Sequence, residues 1–233
     1  MKRFDIINIF PHIFDSYFSE SIIKRAVQKK KARIKIYNLR DFTKDKHRQV
    51  DDRPFGGGAG MVLMAEPILR AVQKIASSKR KKTKIVLFSA KGKQFDQRMA
   101  YEWSKKYDNF IFIGGRYEGI DERVGHILKA EEVSIGPYVM TDGDVAAMVV
   151  ISALVRLIPN VINWSSLEDE SYMRDIIKKE AKRGPEMLEY PHYTRPEILE
   201  YKKKKYRVPK VLLSGNHQEI EKWRRGQKKH LDA

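Results

Sequence analysis

Two glycine-rich segments contain the side chains best suited to chemistry: residues 113–124 (IGGRYEGIDERV) and 134–144 (SIGPYVMTDGD). Each follows a short apolar run typical of a buried strand, so both are predicted to be loops at strand ends. Ligands of open α/β sheets bind at the carboxyl ends of the strands, and glycines let backbone groups approach them. The segments therefore predict a small-molecule site. Its polar side chains are Arg116, Tyr117, Glu118, Asp121 and Glu122.

The elements that must position these loops alternate between strands and helices. Strands are predicted at residues 4–10, 33–39, 84–88, 110–113 and 132–135, and helices at 13–30, 67–75, 95–106 and 145–158. Strands separated by helices imply right-handed crossovers and a parallel sheet with helices on both faces. The predicted fold class is therefore α/β.

The predicted helix at 145–158 is apolar on all sides, and Arg156 is its only charged residue. Such a helix is buried in a core or between subunits. Two interpretations of Arg156 stay open. It can satisfy the last carbonyls of the helix and reach solvent, or it can present a cation to a negative charge that develops at a site between subunits.

The charge of the chain indicates a polyanionic partner. Its 47 Lys and Arg residues outnumber 30 Asp and Glu, giving a net charge of +17. Residues 178–233 alone hold 16 basic and 8 acidic side chains, an excess of +8. This concentration favours nucleic acid binding by a small basic C-terminal module over a surface that is merely solubilising.

Several classes of protein are disfavoured by composition. The absence of cysteine excludes disulfides, zinc ribbons, iron–sulfur clusters and thiol catalysis. The six histidines are scattered without metal-ligand spacing, so no metal ligand is predicted. No apolar run reaches membrane-spanning length and the N-terminus does not have the pattern of a signal peptide, which predicts no membrane association and a cytoplasmic location.

The glycine-dense segment at 50–61 (VDDRPFGGGAGM) matches no standard nucleotide motif. It lacks the Gly-Lys-Ser/Thr of a P-loop and follows no predicted strand. A flexible surface turn is the common explanation of such a loop. Its two carboxylates, guanidinium and aromatic ring are, however, also suited to contacting a nucleobase.

Five segments together resemble the bacterial tRNA (guanine-N1)-methyltransferases that act on guanosine 37, beside the anticodon. They are residues 50–61, 114–124 (GGRYEGIDERV), 134–148 (SIGPYVMTDGDVAAM), 191–196 (PHYTRP) and 211–217 (VLLSGNH). The resemblance covers nearly the whole chain. It implies a SPOUT fold with a trefoil knot, a homodimer with its active site at the subunit interface, and S-adenosylmethionine bound in the knot loops.

The resemblance also implies the domains and the binding residues. It implies a methyltransferase domain at 1–162, a linker at 163–195 and a basic helical tRNA-binding domain at 196–233. The implied cofactor residues are Leu87, Phe88, Ser89, Gly115, Tyr117, Glu118, Gly119, Ile135, Gly136, Tyr138, Met140, Gly143 and Ala146. The implied tRNA contacts are Asp52, Arg53, Gly57, Gly58, His192, Arg195 and Lys210, with further phosphate contacts at residues 202–205, Arg224 and Arg225.

Methylation at guanine N1 requires removal of the N1 proton and stabilisation of negative charge on O6, for which a carboxylate base and an arginine are suitable. In the family an aspartate of the linker is the base, an arginine on the buried helix assists, and magnesium promotes the reaction. Arg156 matches that arginine. The base aligns with Glu170, and its neighbour Asp169 is the alternative that stays open.

The chain departs from the family pattern in two respects. Alanines occupy positions 59, 90 and 146, where prolines are common, and about a dozen residues are inserted around 174–186. Two other functions also stay open. The basic module fits a non-catalytic RNA-binding accessory protein, and a related SPOUT enzyme would methylate a ribose 2′-hydroxyl without a base directed at N1.

Overall fold

The protein is described by a computed structural model that covers residues 1–76, 82–168, 170, 172–173, 176 and 190–227. The contacts between Cα atoms divide the chain into two compact units, Met1–Asn163 and Trp164–Ala233. Asp169 and most of the expected insertion at 174–186 lie outside the described residues.

The first unit contains a five-stranded sheet in the order β2-β1-β6-β5-β7, and every pair of neighbouring strands is parallel. These strands are β1 (Lys2–Asn8), β2 (Ala32–Asn38), β5 (Thr83–Gln94), β6 (Asn109–Ile113) and β7 (Glu131–Ser134). Two short strands, β3 (Asp51–Asp52) and β4 (Val62–Leu63), pair separately with each other. The expected α/β class with a parallel sheet is confirmed.

The helices of this unit are α1 (Asp15–Phe18), α2 (Ser21–Gln28), α3 (Ala65–Ala76), α4 (Gln97–Lys106), α5 (Arg123–Leu128) and α6 (Asp144–Arg156). Two 3-10 helices occur at Pro11–Phe14 and Leu39–Phe42.

Because side chains alternate along a strand, β6 contributes to both faces of the sheet. Phe110 and Phe112 stack with Phe4 on one face, while Ile111 and Ile113 pack into the cluster beneath α3 on the other.

Two local predictions differ from the structure. The helix expected at 13–30 is divided into a 3-10 turn, α1 and α2, because the chain is extended at Glu20 and Ser21 has a positive φ of 50°. Such a φ is unfavourable for a residue with a side chain and is incompatible with a continuous helix. The strand expected to end at Phe88 continues to Gln94 through a register shift opposite β7.

The second unit contains α7 (Trp164–Glu168), the antiparallel pair β8 (Ile198–Tyr201) and β9 (Lys204–Arg207), and the helices α8 (Lys210–Leu213) and α9 (His217–Gly226). The expectation of a wholly helical module is therefore wrong for residues 198–207. The tight turn between β8 and β9 places Lys202 and Lys203 at positive φ. Among the described residues, no helix has the length and apolarity needed to cross a membrane.

Candidate cofactor site

Residues 87–91, at the register shift within β5, and the loops that follow β6 and β7 surround one cavity of about 480 Å³ in the first unit. Cavities that bind small organic ligands measure roughly 300–1000 Å³. All of the cofactor residues expected from the sequence line this cavity: Leu87, Phe88, Ser89, Gly115, Tyr117, Glu118, Gly119, Ile135, Gly136, Tyr138, Met140, Gly143 and Ala146. Their assignment to a cofactor stays a prediction.

The loops after β6 and β7 are joined directly through their backbones. The Gly143 amide donates a 2.8 Å hydrogen bond to the carbonyl of Gly115, and Arg116 forms a β-bridge with Asp142. A Cβ atom on Gly143 would lie 2.8 Å from the Gly115 nitrogen and 2.9 Å from the Gly114 Cα. Only glycine allows this approach of two backbones, so Gly143 is required for the shape of the cavity.

In the wall of the cavity, the guanidinium of Arg116 binds two carboxylates. Its Nη2 lies 2.8 Å from Asp144 Oδ2 and 3.4 Å from Asp142 Oδ2, and the group lies over the ring of Phe10 at 4.5 Å. Burial raises the pKa of Asp144 above its usual range, against the opposing effect of Arg116. We call Arg116, Asp142 and Asp144 the loop staple, because they hold the 114–119 loop to the start of α6.

The remaining acidic residues of the cavity wall differ in their partners. Arg123 binds Asp121 through two hydrogen bonds and lowers the pKa of that carboxyl. Lys91 lies 2.7 Å from Glu122 and lowers its pKa in the same way. Glu118, in contrast, has no basic side chain within 4 Å among the described residues. The cavity therefore offers one uncompensated carboxylate to a positively charged ligand.

A hairpin arm at residues 51–63 is attached to the same cavity wall. The Leu63 amide donates to the Gly119 carbonyl at 3.0 Å, and the Glu118 amide donates to the Met61 carbonyl at 3.1 Å. The expected tRNA-contacting residues Asp52, Arg53, Gly57 and Gly58 are exposed on this arm. The segment is thus neither a P-loop nor an unattached turn, since its base is fixed at the cavity and its tip faces solvent.

Helix α6 begins at the cavity and extends to Arg156. The Asp142 carboxylate accepts hydrogen bonds from the Asp144 and Val145 amides, which caps the first turn. Arg156, in the last turn, is half-buried and forms at least one polar, electrostatic or ring contact with another residue. Within one chain this helix is not buried on all sides, because Val145 and Val149 are each 43% exposed. Its burial between subunits stays a prediction.

The other expected catalytic and tRNA-binding residues belong to the second unit. Glu170 is half-buried in a turn where its amide donates to the Leu167 carbonyl at 3.3 Å. His192, Arg195 and Lys210 are exposed.

Two residues of the C-terminal helix differ in how accessible they are to RNA. Arg224 does not point freely to solvent, since its guanidinium lies 4.9 Å from the centre of the Tyr190 ring and its Nε is buried. Arg225, also expected on the phosphate backbone, is exposed and borders Glu221.

Sequence reasoning did not assign some residues that define the cavity. The sequence predicted no binding role for Asp142, Asp144 or Lys91. The spacing Asp-Gly-Asp directly after a glycine loop could have indicated Asp142 and Asp144. Lys91 could not have been found, because its position depends on the register shift in β5.

The parallel sheet and the cavity at its carboxyl edge define an α/β protein of the class whose members bind small ligands at the ends of their strands. The family model described as tRNA (Guanine-1)-methyltransferase TrmD matches residues 1–232. The chain belongs to this family.

Curated relatives from three bacteria agree with this assignment, and each is named tRNA (guanine-N(1)-)-methyltransferase. The relative from Dictyoglomus turgidum is 48% identical over 97% of this chain and 84% of its own length. The relative from Clostridioides difficile is 45% identical over 96% of this chain and 90% of its own. The relative from Thermomicrobium roseum is 46% identical over 96% of this chain and 77% of its own length.

Proposed function

We propose that this protein transfers a methyl group from S-adenosylmethionine to N1 of guanosine 37 in tRNA. The observation that carries the proposal is the cavity lined by residues 87–91 of β5 and by the loops after β6 and β7, in a chain whose residues 1–232 match the methyltransferase family. The two alternatives from the sequence have less support. A non-catalytic RNA-binding protein does not need this cavity, and a ribose 2′-hydroxyl methyltransferase would not be expected to match this family.

The cavity is suited to S-adenosylmethionine in shape and charge. Leu87, Ile135 and Met140 provide an apolar wall for the adenine, and the glycine loops bring backbone groups close to the ligand. The uncompensated carboxylate of Glu118 favours a ligand with positive charge, which the donor has on its sulfonium and amino groups. When bound, S-adenosylmethionine supplies an electrophilic methyl group.

The residues of this chain provide the proton transfer and the charge stabilisation. A carboxylate at 170 or 169 accepts the proton from N1, which leaves an electron pair on N1 to form the new bond to the methyl carbon. Bound S-adenosylmethionine would supply that methyl carbon, and its sulfur would keep the electron pair of the broken bond. Arg156 stabilises the negative charge that builds on O6. A positioned base contributes about 10²–10⁴-fold and a charge-stabilising donor about 10²–10³-fold.

Magnesium is implied by the family, but the described residues include no group of three or more His, Asp or Glu side chains arranged to hold a metal ion. We therefore assign no step to a metal.

We further propose that the protein acts as a homodimer. Helix α6 exposes Val145 and Val149 on a face next to Tyr17, whose hydroxyl bonds Ser152 on the same helix. An exposed apolar stripe on an otherwise apolar helix is typical of a surface that another subunit covers. The active site would then receive groups from both subunits. The trefoil knot and the two domains with their linker, as expected from the sequence, are part of the same proposal.

The substrate is proposed to be held mainly by positive charge. The hairpin β8–β9 is exposed along both strands and contains Lys204, Lys205 and Arg207. Neutralising phosphates with such residues supplies affinity that does not depend on base sequence. The exposed arm at 51–63 would then contact the region of the target base.

The test is methyl transfer from labelled S-adenosylmethionine to two tRNA transcripts that differ only at position 37. Label is expected in the transcript with guanosine and absent from the transcript with another purine. Digestion of the product should yield 1-methylguanosine. Equal labelling of both transcripts, or label in a ribose, would contradict the proposal. Tight tRNA binding without any labelling would instead favour a non-catalytic RNA-binding protein.

A further inference from the structure

The arm at residues 51–63 is fixed at its base and presents an aromatic ring at its tip. Its two strands pair Asp51 with Leu63 and Asp52 with Val62, and Leu63 also forms a bridge with Ile120 in the cavity wall. A stem held on both sides restricts the positions that the tip can reach. Whatever the tip binds is therefore held close to the cavity.

The tip is a tight turn that displays Phe55. The Gly57 amide donates to the Pro54 carbonyl at 3.3 Å, and Gly56 has a φ of +88°. A positive φ at the third residue of such a turn is the type II pattern, which requires glycine there. Phe55 occupies the second position, where the side chain projects outward, and it is 100% exposed.

The surroundings of Phe55 leave both faces of its ring open. A Cβ atom on Gly56, Gly57 or Gly58 would have no atom within 4 Å, so the glycines after the ring border open space. Arg53 and Asp52 beside it are exposed as well. An apolar ring flanked by a cation and by bare backbone can receive a flat, electron-rich ligand that carries phosphate. A nucleobase of an RNA strand has this chemistry.

The proposed reaction needs such a ring. Enzymes that modify a base must separate it from its stacked neighbours before the reacting atom can be reached, and this separation costs stacking energy. We propose that Phe55 stacks on the nucleobase adjacent to the target guanine, replacing the stacking that this neighbour loses when the guanine enters the site. This inference rests on the proposed function, and it assigns Phe55 to the neighbouring base and not to the guanine itself.

The experiment combines a protein change with an RNA change. Phe55→Ala and Phe55→Tyr are assayed with tRNA transcripts that are intact or that lack the base at position 36 or at position 38. One lost stack between a base and an aromatic ring corresponds to about a 5- to 150-fold loss of affinity. Phe55→Ala should lose this much in Kd and kcat/KM for intact tRNA, with the KM for S-adenosylmethionine unchanged. Phe55→Tyr, which keeps the ring, should stay within about threefold of the unaltered protein.

The coupling between the two changes decides the proposal. One of the two base-deleted transcripts lacks the base that Phe55 stacks on. For that transcript, Phe55→Ala and the unaltered protein should have the same Kd. Val27→Ala, which truncates an exposed apolar residue that does not line the cavity, is the control and should have no effect. The proposal is overturned if Phe55→Ala leaves affinity for intact tRNA unchanged, or if its loss is equal with all transcripts. It is also overturned if the substitution changes the oligomeric state by light scattering, because Phe55 would then contact a second copy.

Failure of this inference can be told apart from failure of the proposed function. If the unaltered protein does not methylate the guanosine transcript, the proposed function fails and the inference fails with it. If the unaltered protein methylates N1 and Phe55→Ala is as active and binds as tightly, only the inference fails.

Discussion

Replacing Arg116 with glutamine tests whether the loop staple holds the cofactor site together. The substitution removes the cation but keeps a polar side chain of related shape. Asp144, with a side chain 1% exposed, and Asp142, 7% exposed, would then lie buried without a counter-charge. The expected result is a loss of stability and, with it, a loss of affinity for S-adenosylmethionine, because the 114–119 loop is no longer held against the start of α6.

The size of the stability loss follows from the geometry. At an effective dielectric constant of about 20, unit charges about 3 Å apart attract by roughly 5 kcal/mol, which is offset by the cost of desolvating them. Removing one partner of a buried ion pair costs about 3–5 kcal/mol in measured cases. Since the Arg116 side chain is 18% exposed, we expect a value near 3 kcal/mol at pH 7.

The loss should depend on pH in a defined direction. Burial already raises the pKa of Asp144 from 3.8, and Arg116 opposes that rise, so removing the arginine raises the pKa further. Between 3.8 and the raised value the folded protein binds a proton that the unfolded chain does not. Stability therefore falls as pH rises through that window, by about 1.4 kcal/mol per pH unit. Arg116→Gln should be closer to the unaltered protein at pH 5 than at pH 8.

The assay is urea unfolding followed by circular dichroism at pH 5, 7 and 8, at a fixed protein concentration. Arg123→Gln is the matched control, because Arg123 pairs with Asp121 on the same loop but is 69% exposed, and an exposed pair contributes about 0–1 kcal/mol. Adding Asp144→Asn to Arg116→Gln should restore much of the loss. A loss below about 1 kcal/mol that does not change with pH, or a double variant no more stable than Arg116→Gln, would refute the reasoning.

Three further predictions concern the proposed reaction. Gly143→Ala should weaken binding of S-adenosylhomocysteine at least about tenfold by calorimetry, because its Cβ meets the Gly115 backbone at 2.8 Å; unchanged affinity would contradict the proposed cavity. Of Glu170→Ala and Asp169→Ala, the one that removes the base should lower kcat about 10²–10⁴-fold without changing cofactor affinity. If both variants keep the kcat of the unaltered protein, neither carboxylate is the base. Arg156→Ala should lower kcat about 10²–10³-fold in single-turnover assays with cofactor affinity retained, and a change in KM alone would assign it to binding.

Sequence patterns predicted the regular elements of the first unit well, for a physical reason. The strands β1 and β6 are largely apolar and buried on both faces of the parallel sheet, whereas the edge strand β2 alternates apolar and polar residues, and both patterns are typical of strands. The turn at residues 19–21 was missed, because it depends on a positive φ at Ser21 and not on hydrophobic spacing. The pairing of β8 with β9 was missed as well. All residues of both strands are exposed, so the strands have no alternation of buried and exposed residues to detect.

The candidate site divides in the same way between sequence and structure. The residue types of residues 113–124 and 134–144, and their position after apolar strands, predicted a cavity there, because glycines and strand ends are local properties. Only the tertiary structure decided the roles of the charges. Arg116 is bound to Asp142 and Asp144, Asp121 and Glu122 are paired with Arg123 and Lys91, and Glu118 has no basic partner among the described residues. These partners come from different strands and loops, and the distances between them exist only once the sheet has brought the loops together.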